Sequence, residues 1–313
     1  MSSPIGSSSV TPVSVAADVR LASAVPLLCL VFAGLLWGTG GLTGTLLGRA
    51  AGLSPLAVAA LRLLTGGGLI VAFRILPGRR WPATRAAWTR VAVTGLLAAT
   101  FQAAYFSAVS LTSVSLATLV TIGATPVIVQ VSELLLGRRR LGKAGVARTS
   151  LALAGLGLLV GLPSSGYGPV AVLESAGMAL LASSGFAAIT VISTKPVPGL
   201  GAETVTGLGF TAGGLALLPL AAAVGGLTFR PTVAAFSWLA FLATGPTAVA
   251  YTLYFRGLRN AHASTGALLS LLEPLTATVL SVSFLGNRLS LAGIAGAVLL
   301  AVAVLSTTWT ARS

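Results

Sequence analysis

Negative charge is the scarcest thing in this sequence. Asp and Glu together number 5, and all charged residues make up 8% of 313 positions, where a soluble domain carries about 25%. Too little charge is present to coat a surface facing water, which excludes an ordinary soluble enzyme or binding module. Sulfur and imidazole are almost as rare, with one cysteine and one histidine. Cys29 lies inside an apolar stretch, so neither a disulfide framework nor a Cys-rich metal site can be assembled. The phosphate loop Gly-x-x-x-x-Gly-Lys-Ser/Thr is missing, as are the zinc motif His-Glu-x-x-His and the hydrolase elbow Gly-x-Ser-x-Gly in a strand–turn–helix setting. Direct ATP use and the commonest hydrolytic chemistries thereby lose their usual carriers. No enzyme activity, cofactor or metal is expected.

What fills the chain instead is apolar: 55% of its residues, with a mean hydropathy of +0.98. Between Arg20 and Arg49 lie 28 residues without Asp, Glu, Lys or Arg, and between Arg90 and Glu133 lie 42, room for two spans. A helix needs about 20 residues to cross a hydrocarbon core about 30 Å thick. Further charge-free intervals run over 149–173, 175–194, 204–229, 231–255 and 289–311. Stretches 50–73 and 260–287 are interrupted by one charge each, Arg62 and Glu273. The runs are continuous rather than alternating, which favours helices over a barrel. The expected fold is an all-α membrane protein with ten transmembrane helices, near 22–46, 55–75, 91–110, 114–136, 147–163, 172–194, 205–225, 233–255, 263–284 and 290–308. Residues 1–20, rich in Ser, Val, Pro and Ala, read as a flexible tail.

The formal charge of +14 does not point to nucleic acid. With a cytoplasmic N-terminus, the inner side receives Arg20, Arg74, Arg79, Arg80, Arg85, Arg90, Arg138, Arg139, Arg140, Lys143, Arg148, Lys195, Arg256, Arg259 and Arg312. The outer side receives only Arg49, Arg230 and Arg288. That asymmetry follows the positive-inside rule and places both termini in the cytoplasm of a multi-pass cell-membrane protein. The expected partners are the lipid bilayer and a small-molecule substrate, with a homodimer as the assembly to consider. Inter-span loops are short, the longest near 76–90, so no soluble catalytic domain has room.

The chain repeats itself at one spacing. Tyr105-Phe106 recurs 149 residues later as Tyr254-Phe255, Ser115 as Ser264, Leu119 as Leu268, and Leu136-Gly137 as Leu285-Gly286. Pro126 and Pro274 match with a slip of one residue. The repeats are 21–163 and 171–308. Five spans per repeat is an odd number, so the second copy enters the membrane from the opposite side. Inverted repeats of this kind are a recurrent transporter architecture, with the site near the midplane between the copies.

These residues resemble the drug/metabolite transporter superfamily, in particular its ten-helix EamA type. The resemblance rests on Tyr105-Phe106 leading to Thr125-Pro126 and Leu136-Gly137, and on Tyr254-Phe255 leading to Glu273-Pro274 and Leu285-Gly286. Leu36-Trp37-Gly38 and Leu61-Arg62 complete it. Members of that family commonly carry an acid after each Leu-Gly pair, where this chain has Arg138 and Asn287. The resemblance implies export, less often uptake, of amino acids, drugs or related metabolites without ATP hydrolysis. The alternatives are a membrane scaffold or sensor, and an intramembrane enzyme acting on lipid-linked substrates.

Candidate site residues are the polar groups that hydrocarbon penalises. Glu273 sits near the middle of span nine, where an acid costs about 2.5–3.5 kcal/mol on insertion scales. Pro274 beside it removes a backbone donor and is expected to free the carbonyl of Ser270. Glu273 is read as binding an amine or a transported proton, against protonated packing. Arg62, about seven residues inside span two, is read as a carboxylate ligand, a partner of Glu273 or a snorkelling anchor. Trp37, amid Gly38, Gly40 and Gly41, is read as cavity wall or helix packing. Gln102, Tyr105, Gln130 and Tyr251 complete the expected substrate-binding set. Glu133, near Arg138 and Arg139, reads as an interfacial ion pair.

Overall fold

The computed structural model describes residues 12–74, 81–138, 142–161, 166–285 and 288–310. Ten helices among them are long and apolar enough to cross a membrane. They are α1 (Pro12–Ala51), α2 (Pro55–Arg74), α3 (Arg85–Leu111), α4 (Val114–Leu135) and α5 (Lys143–Val160), then α6 (Pro169–Ser193), α7 (Ala202–Gly225), α8 (Val233–Leu258), α9 (Ala263–Phe284) and α10 (Leu291–Thr310). Helix α1 starts at Pro12, so residues 12–20 continue the first helix instead of forming part of a flexible tail. Pro12 suits a helix start, and no Gly or Pro follows before Pro26 to stop it. Residues 1–11 lie outside the described residues.

The helix boundaries follow local chemistry. Thr84 and Thr232 cap α3 and α8 by accepting from the N–H groups of Ala87 and Ala235, and Ser113 caps α4 through Leu116. These side chains satisfy donors that a helix start leaves unpaired. Helix α4 ends at Leu136-Gly137. Gly137 has φ +63, its N–H reaches Leu134 O, and the N–H of Arg138 reaches Glu133 O. That is a Schellman stop, which needs a residue without Cβ at the left-handed position.

Two helices break inside the bilayer. In α8 a π segment covers Thr244–Val249. Pro246 within it has no N–H to offer, and the Leu242 carbonyl accepts from the Thr247 hydroxyl at 2.7 Å, a local repair of the kind that lets Pro persist in a span. In α9 the helix splits into Ala263–Leu269 and Leu272–Leu285. The Ser270 carbonyl is not left free as the sequence suggested. It accepts from the Glu273 N–H at 2.9 Å, because the chain tightens to a shorter-range bond ahead of the proline.

The packing has a two-fold pattern. Helix α2 packs on α7, and α5 on α10; α3 meets α6 and α7 just as α8 meets α1 and α2, and α4 meets α6 as α9 meets α1. Exchanging the numbers 1–5 and 6–10 returns the same pairs. Close approach between the halves uses glycine: a Cβ on Gly214 would lie 2.5 Å from Leu64 N, and one on Gly213 2.7 Å from Gly95 O. Small residues let backbones meet where no hydrophobic effect drives helices together.

Candidate functional site

The halves of α1, α2, α3 and α4 nearest Arg49 are splayed around a cavity of about 510 Å³, within the roughly 300–1,000 Å³ range of small-molecule sites. Arg49, Leu53, Pro55, Val109 and Val114, all at or near helix ends, line its mouth, and Glu273, Ser270, Tyr251 and Phe186 line its depth. The wall between them is mostly apolar and aromatic, with Phe101, Phe106 and Ile122, and α1 contributes Gly40, Gly41, Gly44 and Gly48. A Cβ on Gly41 would touch nothing within 4 Å. The glycines of α1 thus divide in two: Gly34 and Gly38 press against α9 at Leu269, Leu272, Glu273 and Thr276, whereas Gly41 leaves open space.

Six of the residues picked out from the sequence, Trp37, Arg62, Gln102, Tyr105, Tyr251 and Glu273, line this one cavity. Arg62 from α2 and Glu273 from the first turn of the second α9 segment face the same cavity, as do Tyr105 and Tyr251. Two buried donors there have no partner among the described residues, the Arg62 Nε and the Trp37 Nε1. Unpaired buried donors carry a desolvation penalty, and a bound solute is one way to relieve it. Tyr105 bonds Thr118 through its hydroxyl at 2.8 Å.

Gln130 is not brought to the cavity. Its Nε2 donates to the Thr149 hydroxyl of α5, so it is spent holding α4 to α5. The reason is rotational: α4 presents Thr118, Thr121, Ile122 and Thr125 to the cavity, and Gln130 lies elsewhere on its circumference. Glu133 departs from its expected ion pair as well. It is 4% exposed and accepts from the Ala263 N–H at 3.0 Å. Arg138 instead donates to Val191 O and Thr194 Oγ1, and Arg139 lies outside the described residues.

Beyond Glu273 the molecule is packed shut. Trp37 meets Tyr251 and Tyr254 with ring centroids 4.9 and 4.8 Å apart, Phe186 stacks on Tyr254 at 5.7 Å, and Phe210 meets Tyr251 at 4.5 Å. The fully buried Tyr254 shares a hydrogen bond with Thr190 at 3.0 Å. Nearer the surface Arg90 donates to Ile192 O and Lys195 O, and Arg259 to Leu200 O. These cations satisfy carbonyls in the last turn of α6 and in the link from α6 to α7. Tyr254, Phe186 and Phe210 were not singled out in the sequence as site residues. For Tyr254 the signal was its place in the repeated Tyr-Phe pair. Among the described residues no group of three or more His, Cys, Asp or Glu is placed to hold a metal.

Two five-helix repeats around a deep cavity with a charged floor define a multi-pass membrane protein of the transporter class. Residues 24–161 and 174–309 each match the EamA-like transporter family, and the chain belongs to it. Among relatives, the uncharacterized transporter YwfM of Bacillus subtilis (strain 168) is 30% identical over 263 residues, 84% of this chain and 86% of its own. Protein PecM of Dickeya dadantii (strain 3937) is 29% identical over 172 residues, 55% of this chain and 57% of its own. A solved crystal structure with a TM-score of 0.77 and 23% identity covers 91% of this chain and 98% of its own, a likeness of fold.

Proposed function

We propose that this chain is a secondary transporter that exports a small organic solute with a polar or zwitterionic head across the cell membrane by alternating access. The observation that carries the reading is the cavity itself, which reaches from the Arg49 end of the helices to Glu273 and Arg62 and is packed shut beyond them. Glu273 binds an ammonium group or a proton, Arg62 binds a carboxylate, Gln102 and Tyr105 offer neutral hydrogen bonds, and Trp37 with Tyr251 forms the floor. The apolar wall between floor and mouth accommodates the body of the solute. An inverted relation between the repeats supplies two near-equivalent packings, one open to each side. The name of YwfM supports transport as the activity. The charge asymmetry of the loops supports cytoplasmic termini, with the Arg49 face outside.

Counterflow in proteoliposomes tests the reading. Candidate solutes come from comparing the medium of cells with and without the protein. A labelled solute should exchange across vesicles carrying the protein, and Glu273→Gln should suppress that exchange. Absence of counterflow for every solute that accumulates outside expressing cells would overturn it.

A further inference from the structure

Helices α4 and α9 are partners under the two-fold relation, so their mutual contact maps onto itself. The contact is nevertheless one-sided: α4 packs on the segment Ala263–Leu269 of α9 and not comparably on Leu272–Leu285. The pair is closed at the end remote from the cavity mouth and open at the other. At the closed end stands Glu133, buried with Val129, Ala187, Val191, Ala263 and Ala267, where α4, α6 and α9 converge in an apolar cluster. Its Oε1 accepts from the Ala263 N–H, and its buried Oε2 has no partner among the described residues.

Ala263 is the first residue of α9, and its N–H is one of the donors that a helix start leaves unpaired. In the first repeat the equivalent start is capped by its own Ser113, whose hydroxyl accepts from Leu116 N. The matching position 149 residues on is His262, which makes no side-chain cap. Glu133 takes over that task from another helix.

We propose that Glu133 is a positioning residue of the transport cycle. By capping α9 from α4 it holds the end remote from Arg49 closed, and this bond must break before the cavity can open to that side. The inference rests on alternating access. In the exchanged packing the far ends of α4 and α9 separate and their near ends meet, where the counterpart of Glu133 is Val282, which has no carboxylate. The latch therefore exists on one side only. Glu133 also acts on the helix that carries Glu273, so the binding carboxylate and the latch move together.

Two single-cysteine reporters in a Cys29→Ser background test it, labelled by a membrane-impermeant thiol reagent. Ile122→Cys reports the cavity wall and Ala187→Cys the packed side. The bond is broken from either partner, by Glu133→Ala or by Ala263→Pro. The latter removes the N–H while His262, at φ −68 and ψ 146, is already in the conformation that precedes a proline. Both variants should raise the labelling rate of Ala187→Cys about fivefold and lower that of Ile122→Cys in step, the shift expected for losing one hydrogen bond. Glu133→Gln keeps the accepting oxygen and should restore the parent rates. Unchanged rates in both variants, or both reporters quickening together as in general loosening, would overturn the latch. Counterflow by the parent protein is scored separately, so losing the latch leaves the transport reading standing, and absent counterflow removes that reading by itself.

Discussion

The halves of α1–α4 nearest Arg49 and the opposite halves of α6–α9 are copies of one design, yet one encloses a cavity and the other is solid. Helix α6 packs against α8 and α9, whereas the corresponding α1 stands apart from α3 and α4 across the cavity. Residues 149 apart show what fills the difference. Gly41 corresponds to Thr190 and Gln102 to Tyr251. Tyr254 seals against the hydroxyl of Thr190; its counterpart Tyr105 bonds Thr118 of α4, since Gly41 has no hydroxyl to offer. The fold supplies two matching halves, and the side chains decide which of them encloses a cavity.

The largest expected effect falls at the floor of the cavity. Glu273→Gln should lower the counterflow rate about 10–100-fold, the value of a hydrogen bond or two to a charged group at roughly 1.5–3 kcal/mol; an unchanged rate would remove Glu273 from the mechanism. Arg62→Leu should cost about tenfold or more, and Arg62→Lys should recover part of that, since the charge stays while the bidentate fork is lost. Equal rates for the two would mean that Arg62 serves packing alone.

A pair of glycines sharpens the contrast between packed and open faces. Gly214→Ala drives a Cβ into the Leu64 backbone and should destabilise the protein by about 1–3 kcal/mol, as overpacking does. Gly41→Ala meets open space and should leave stability equal or raise it by up to about 1 kcal/mol through helix propensity. Thermal denaturation in detergent compares them. The smallest effect belongs to Tyr254→Phe, which removes one neutral hydrogen bond worth about 1 kcal/mol. It should shift the population roughly fivefold towards the packing open at the Lys195 end, read by thiol labelling of the packed side.

Much of this was legible in the sequence because hydrocarbon is an unforgiving solvent. Charge-free runs delimit eight of the ten spans, and Glu273 and Arg62 stood out because each is a lone charge inside one of the other two, where hydrocarbon penalises it. Gln130 obeyed the same reasoning and still lay off the cavity, since a polar side chain in lipid is satisfied equally well by a neighbour such as Thr149. Glu133 departs from its reading for a related reason: nearby arginines suggested an ion pair, but Arg138 donates to a carbonyl of α6 while the carboxylate reaches a helix start 130 residues away. Trp37, read from the sequence as cavity wall or helix packing, lines the cavity and also packs against Tyr254. Which glycines of α1 press on α9 and which leave space was beyond the sequence, because composition does not reveal what stands opposite a small residue.

Distances across both faces during turnover test the account most directly. Spin labels at Thr45 and Val114 span the mouth of the cavity, and labels at Ser193 and Ala261 span the packed end. With solute present on both sides, the first distance should shorten in the same fraction of molecules in which the second lengthens. A mouth that stays open throughout, or two distances that lengthen together, would contradict the exchange of packing between the repeats.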